Sequence, residues 1–123
     1  MIAYASRTGN VRYVVNKLEL PAVEIDGEKE LAEPFLLFTY TDGLGGVPVP
    51  VLRFMEKNGA YCRGVVASGN SNFGRRNFGA AGDAIAGQWG VPLVRKLELR
   101  GYPDDYEAIR RYYEQCFREG RNG

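Results

Sequence analysis

Three glycine-bearing segments hold most of the side chains in this sequence that could grip a ligand. The first, Ser6-Arg7-Thr8-Gly9-Asn10-Val11, sets two hydroxyls, an amide, a cation and a glycine ahead of a helical pattern. That combination suits a phosphate, because backbone N–H groups, hydroxyl donors and the positive end of a helix dipole converge on one anion. An ordinary Ser/Thr/Asn-capped helix start is the competing reading of the same residues. The segment is neither G-x-G-x-x-G nor G-x-x-x-x-G-K-[ST], which excludes a dinucleotide fingerprint and a Walker A loop at this place.

The second segment, Tyr40-Thr41-Asp42-Gly43-Leu44-Gly45-Gly46-Val47-Pro48, has three glycines that let backbone approach a flat ligand. A plain flexible connector is its alternative, with two nearby prolines arguing against simple floppiness. The third runs Ser68-Gly69-Asn70-Ser71-Asn72-Phe73-Gly74-Arg75-Arg76-Asn77-Phe78-Gly79. Amides, N–H groups and two aromatic rings suit a planar heteroaromatic group that needs stacking and edge hydrogen bonds. Phe73 and Phe78 read equally well as apolar anchors of the loop.

The chain has no histidine, which removes the Ser-His-Asp triad, the Cys-His pair, the imidazole base and every His-liganded metal site. Cys62 and Cys116 form no C-x-x-C or metal-ligand spacing and read as reduced, buried side chains. No Cys-x5-Arg loop exists for a phosphatase. A receiver domain needs clustered acids after the first strand, where Ser6-Arg7-Thr8 stands instead. Difficult chemistry here calls for a borrowed cofactor. One phosphate loop and two ring loops describe a mononucleotide with a large aromatic base, and flavin mononucleotide (FMN) carries electrons without protein acid or base groups.

Positioning these loops requires a sheet. Short apolar runs at Ile2–Ala5, Ala22–Ile25, Phe35–Tyr40, Tyr61–Ser68 and Pro92–Leu99 predict five strands. Val11, Val14, Val15 and Leu18 form one helical stripe, with Asn10 as the expected N-cap and Pro21 as the stop. Pro50 opens a second helix over Val51–Asn58, whose Val51, Leu52 and Met55 share a face. Gly79–Gln88 is an alanine-rich third, and a fourth starts near Pro103, placing Tyr106, Ile109, Tyr113, Cys116 and Phe117 on one stripe. The acidic stretch Asp26–Pro34 lacks apolar periodicity and reads as a crossover without a helix. Phe35-Leu36-Leu37-Phe38 is apolar on both faces and central, while Arg95, Lys96 and Glu98 mark an edge. The expectation is an α/β domain over residues 1–119, a doubly wound parallel sheet in the order 2-1-3-4-5, with a frayed tail at 120–123. In such a sheet ligands bind beyond the carboxyl ends of the strands, where all three segments fall.

Size and charge agree with one cytoplasmic domain. The 123 residues are enough for a single core. Sixteen Lys and Arg against 15 Asp and Glu leave no basic patch for nucleic acid or membrane, and no apolar run nears the length of a membrane span. Glycine is 16 of 123 against an average usage of about 7%, and 11 of those lie between Gly43 and Gly90, which marks loop geometry rather than low complexity.

Ser6-Arg7-Thr8-Gly9-Asn10 resembles the flavodoxin phosphate loop. Taken with Thr39–Pro48 and Ala67-Ser68-Gly69-Asn70-Ser71-Asn72-Phe73-Gly74, essentially the whole chain resembles NrdI, the small flavodoxin-like partner of class Ib ribonucleotide reductase. The resemblance implies a flavodoxin-like fold, bound FMN, and a reduced flavin that reacts with O2. The product is an oxidant, superoxide, for the dimanganese centre of the small subunit NrdF, where the tyrosyl radical is assembled. It also implies a flavin or flavodoxin reductase as electron donor.

By motif, Ser6, Arg7, Thr8, Gly9, Asn10 and Val11 would hold the phosphate. Tyr40, Thr41, Asp42, Gly43, Leu44 and Gly45 would line one side of the ring. Ser68, Gly69, Asn70, Asn72, Phe73 and Gly74 would flank its other edge, with Phe78 and Gly79 closing the loop. Phe73 stands where many relatives carry tryptophan. Net charge +1, with Arg7, Arg75 and Arg76 in the loops, leads us to expect a second electron that enters more easily than in an acidic flavodoxin. A generic electron-transfer flavodoxin is the alternative reading.

Overall fold

Strand β3 (Phe35–Tyr40) is buried along nearly its whole length, which is why its residues are apolar on both pleat faces. The computed structural model describes residues 1–43 and 45–122, with the backbone alone for Phe73 and residues 118–122. Around β3 stand β1 (Ile2–Tyr4), β2 (Ala22–Glu24), β4 (Cys62–Gly69) and β5 (Leu93–Glu98), in the order β2-β1-β3-β4-β5. Every pairing is parallel. The architecture is the doubly wound sheet expected from the sequence.

Two helices cover each face. On one side α1 (Asn10–Leu18) buries Val11, Val14, Val15 and Leu18 beside Tyr106 and Ile109 of α4 (Pro103–Asn122). On the other, α2 (Val49–Asn58) buries Val51, Phe54 and Met55 near Ile85 of α3 (Ala80–Trp89). Gly82 lets α3 approach the sheet, since a Cβ there would lie 2.8 Å from both Ala67 Cβ and Leu93 Cδ1. Asp105 anchors the start of α4: its buried carboxylate accepts from Arg95 Nε at 2.7 Å and from the Tyr102 N–H at 2.8 Å.

Three local expectations need correction. The N-cap of α1 is Gly9, in the left-handed region at φ 95°, and Asn10 is the first helical residue. In α2 the buried face is Val51, Phe54, Met55 and Asn58, with Leu52 only half-buried, because the helix starts earlier and is rotated relative to the expected stripe. Cys62 is buried as expected, but Cys116 is half-buried. The reason is length: the 20 residues of α4 span about 30 Å, whereas the six of β5 span about 20 Å, so the helix outruns the strand that covers it. Of the tail expected at 120–123, Gly123 and the remaining side chains lie outside the described residues.

The acidic crossover contains no helix. Asp26 Oδ1 accepts the N–H groups of Glu28 and Lys29 in a tight turn. Buried Asn58 then holds the irregular stretch that follows, accepting the Leu31 N–H at 2.7 Å and donating to the carbonyl of Lys29, and to that of Phe54 in its own helix, at 2.9 Å. Asn58→Ala strands these partners and should lower stability by about 1–3 kcal/mol. A urea midpoint that falls at unchanged slope is the expected result, and an unchanged midpoint contradicts it.

Candidate functional site

A cavity of about 340 Å³ opens beyond the carboxyl ends of β1, β3 and β4, at the place where the chain turns back across the sheet. All three sequence segments reach it. Ser6, Arg7, Thr8, Asn10 and Val11 form one wall, Tyr40, Thr41 and Gly43 a second, and Ser68, Gly69 and Asn70 a third.

The first wall is the start of α1. Gly9 has no side chain with which to cap the helix, and no other side chain caps it from that position. Ser6 Oγ accepts the Arg12 N–H at 3.3 Å, so the hydroxyl belongs to the same turn. No atom lies within 4 Å of where a Gly9 Cβ would stand, which leaves the space over the amino end of α1 open. Donors and dipole at the amino end of α1 thus lie beside the cavity, with Ser6 Oγ taking up one of the free helical N–H groups.

The second segment is a tight turn and not a loose connector. Asp42 and Gly46 exchange backbone hydrogen bonds at 2.8 and 2.7 Å, and the Gly45 N–H adds a third to the Asp42 carbonyl. Arg7 Nη1 meets Asp42 Oδ1 at 2.6 Å, while its guanidinium stands 5.1 Å from the Tyr40 ring centroid. The first two segments are therefore joined by an ion pair, with roughly half of each side chain exposed.

The third segment is pinned from below. Glu98 at the end of β5 accepts the Ser71 N–H at 3.0 Å and the Ser71 hydroxyl at 2.9 Å. Asn70 Oδ1 accepts the Asn72 N–H at 2.9 Å. Thr41 Oγ1 donates to the Ser68 carbonyl at 3.1 Å, tying the second segment to the third. Gly45 lies against Ala80 and Asn77, where a Cβ would come within 3.1 Å of the Ala80 methyl. At Gly69 a Cβ would sit 2.7 Å from the Gly79 nitrogen, so only glycine lets the end of the loop fold back on β4.

Among the expected residues, Gly9, Asp42, Gly45, Asn72, Gly74, Phe78 and Gly79 do not line the cavity. Gly9 and Gly79 start helices in the left-handed conformation, Asp42 holds Arg7, and Gly45 packs the second segment on the third. Leu44 and the Phe73 side chain lie outside the described residues. Two further residues line the cavity: Asn77, one of the amides of the third segment, and Leu99, whose residue type carries no signal for a ligand contact. Leu99 adopts φ 53°, rare for a branched apolar side chain, and is held there by Ser68 Oγ donating to its carbonyl at 2.6 Å and by its own N–H donating to the Gly69 carbonyl at 2.8 Å.

The groups on the cavity walls are those of a binding site. Hydroxyls, amides, backbone N–H groups and a carboxylate-paired arginine surround the cavity, and among the described residues no cluster of three His, Cys, Asp or Glu could hold a metal. Cys62 sits at the amino end of β4, away from the cavity, and burial pushes its thiol pKa up, which keeps it protonated and unreactive.

A family model described as NrdI Flavodoxin like matches residues 2–111. The chain belongs to that family. Among solved structures, the NrdI-family chain resembles a Streptococcus pneumonia TIGR4 flavodoxin with 26% identity and a TM-score of 0.65, covering 96% of this chain and 97% of that one. It also shares its fold with a short-chain flavodoxin associated with a PDU bacterial microcompartment, at 21% identity, TM-score 0.64 and 92% coverage of both chains. The flavodoxin-like sheet expected from the sequence is thus found both in the topology and in these relatives.

Ser68→Ala removes the donor that holds the Leu99 carbonyl. The expected result is a stability loss of about 1 kcal/mol in urea melts and faster amide exchange at Leu99. Unchanged exchange at that amide contradicts the assignment.

Proposed function

We propose that this chain binds FMN in the cavity and, with that flavin reduced, reacts with O2 to supply superoxide. The oxidant serves assembly of the dimanganese-tyrosyl radical cofactor of class Ib ribonucleotide reductase. NrdF, the small subunit of that enzyme, is the partner, and a flavin or flavodoxin reductase is the electron donor. The observation that carries the reading is membership of the NrdI flavodoxin-like family across residues 2–111.

The residues of the cavity fit the group. Its phosphate would lie at the amino end of α1, beside the Ser6 and Thr8 hydroxyls and the Asn10 side chain, with Arg7 supplying positive charge. Gly43 and Gly69 would admit the ring to close approach of backbone, between Tyr40 on one side and Asn70 on the other. When bound, FMN supplies the electron chemistry, passing one electron at a time from reductase to O2. The chain binds and orients it, and no side chain need act as acid or base.

Arg7, Arg75 and Arg76 enter the electrostatics unequally. Arg7 is paired with Asp42, which cancels part of its charge at the cavity, whereas Arg75 and Arg76 are exposed. A generic electron-transfer flavodoxin is the second reading, favoured by the 26% identity to the streptococcal flavodoxin.

The first test is the visible spectrum of the purified protein, with mass analysis of the released cofactor. A flavin spectrum with FMN released is expected, and protein that stays colourless with added FMN overturns the reading. The second is activation of manganese-loaded NrdF under O2 with and without the reduced protein. Tyrosyl radical forming only with it supports the assembly role, and equal radical in both samples rejects it in favour of the generic flavodoxin. A third concerns charge: Asp42→Asn removes a carboxylate and releases Arg7, so addition of the second electron should move to higher potential in a redox titration. A potential that stays or falls contradicts that electrostatic account.

A further inference from the structure

A second cavity, also about 340 Å³, lies in the groove between α1 and α4, outside the site described above. Tyr13 and Lys17, one turn apart on α1, form one bank. Tyr106 and Arg110, one turn apart on α4, form the other, and Arg100 closes the end. Among the described residues, no carboxylate lines it. Among the described residues, none of the three cations is in an ion pair, although Arg7, Arg12, Lys57, Arg95, Lys96 and Arg111 all are.

Arg100 is held ready. Its guanidinium stacks 4.4 Å from the Tyr13 ring centroid, its Nε donates to Asn10 Oδ1 at 3.3 Å, and its carbonyl accepts the Tyr106 hydroxyl at 2.5 Å. An arginine fixed through its Nε and its ring face keeps both terminal nitrogens available for a carboxylate in fork geometry. Lys17 Nζ stands 5.8 Å from the same Tyr13 ring, and Arg110 Nη2 donates to the Lys17 carbonyl at 3.1 Å.

Exposed apolar surface gathers at the same place. Of the five large apolar side chains exposed among the described residues, Tyr13 (40%) lines this groove, and Leu99 (42%) and Tyr102 (63%) are chain neighbours of its lining residues Arg100, Gly101 and Pro103. Tyrosine and arginine concentrated in a concave, acid-free patch are the composition of a protein-binding hot spot rather than of ordinary surface.

We propose that this groove docks an acidic, aromatic-bearing peptide segment of a protein partner, with its carboxylates on Arg100, Lys17 and Arg110 and its apolar side chains against Tyr13. Charge complementarity selects the occupant: three cations outside the ion pairs of the described residues, beside an exposed tyrosine ring, call for carboxylates interleaved with apolar groups. The groove shares a wall with the first cavity, because Asn10 lines that cavity while accepting from Arg100, and Leu99 and Arg100 are adjacent. A segment seated here would hold its protein beside the first cavity.

The test is fluorescence anisotropy on the protein as purified, using a short fluorescein-labelled peptide of alternating glutamate and phenylalanine. Because it reads the peptide, its outcome is separate from that of the flavin assignment. Saturable binding is expected, weakening as salt rises. Lys17→Glu and Arg100→Glu should each weaken it about tenfold or more, a loss typical of hot-spot residues. Arg63→Glu, the same charge change at the amino end of β4, should leave it within about twofold, and thermal melts identify any variant that fails to fold. Replacing glutamate by glutamine in the peptide should abolish binding. Equal loss with Arg63→Glu, or no saturable binding by the parent, overturns the proposal. So does ADP that binds with the same dependence on Lys17 and Arg100 while the peptide does not, since the groove would then be a phosphate site.

Discussion

Strand β1 is hydrogen-bonded to β2 on one side and β3 on the other, and most of the molecule depends on that placement. A parallel connection must cross over the sheet with a fixed hand, so leaving β1 toward β2 puts α1 on one face, and continuing outward from β3 puts α2 on the opposite face. The two departures diverge at one strand end. The cavity is the gap they leave, and its first wall is a helix terminus because that is where the first departure begins. Three residues of β1 thus determine where a ligand can be held.

The gap is kept open by packing that occurs elsewhere. Glu98, Ser68 and Thr41 lie at strand ends and fix the third segment and its neighbours through hydrogen bonds to backbone, so the loops are shaped by the sheet and not by their own core. Buried Asn58 plays the equivalent part on the far side, replacing the helix that the acidic crossover lacks. Both devices use polar groups to secure backbone that has no regular partner.

Much of this was legible in the sequence. Apolar runs identified the five strands because parallel strands covered on both faces can hold little else, and the glycines of the three segments identified the loops because their geometry excludes Cβ atoms. Other features were illegible for equally physical reasons. Leu99 lines the cavity through a left-handed conformation imposed by two hydrogen bonds from β4, and nothing in the residue type announces it. Asn77 stands beside Gly45, a contact between the second and third segments that the order of residues along the chain does not reveal. Glu98 read as an edge-strand charge, since its hydrogen-bond partner at Ser71 lies far along the chain. Gly9 replaced Asn10 as the cap because the turn needs a positive φ more than it needs a side-chain acceptor.

The Arg7–Asp42 pair has a kinetic meaning. It clasps two segments that belong to different strand ends, and its partners are too exposed for the contact to be worth much at equilibrium. A bond of that kind opens easily and closes fast, and ions in solution weaken it. The join between the first and second segments is therefore one that added salt loosens, and it sets their spacing only as firmly as the surrounding ions allow.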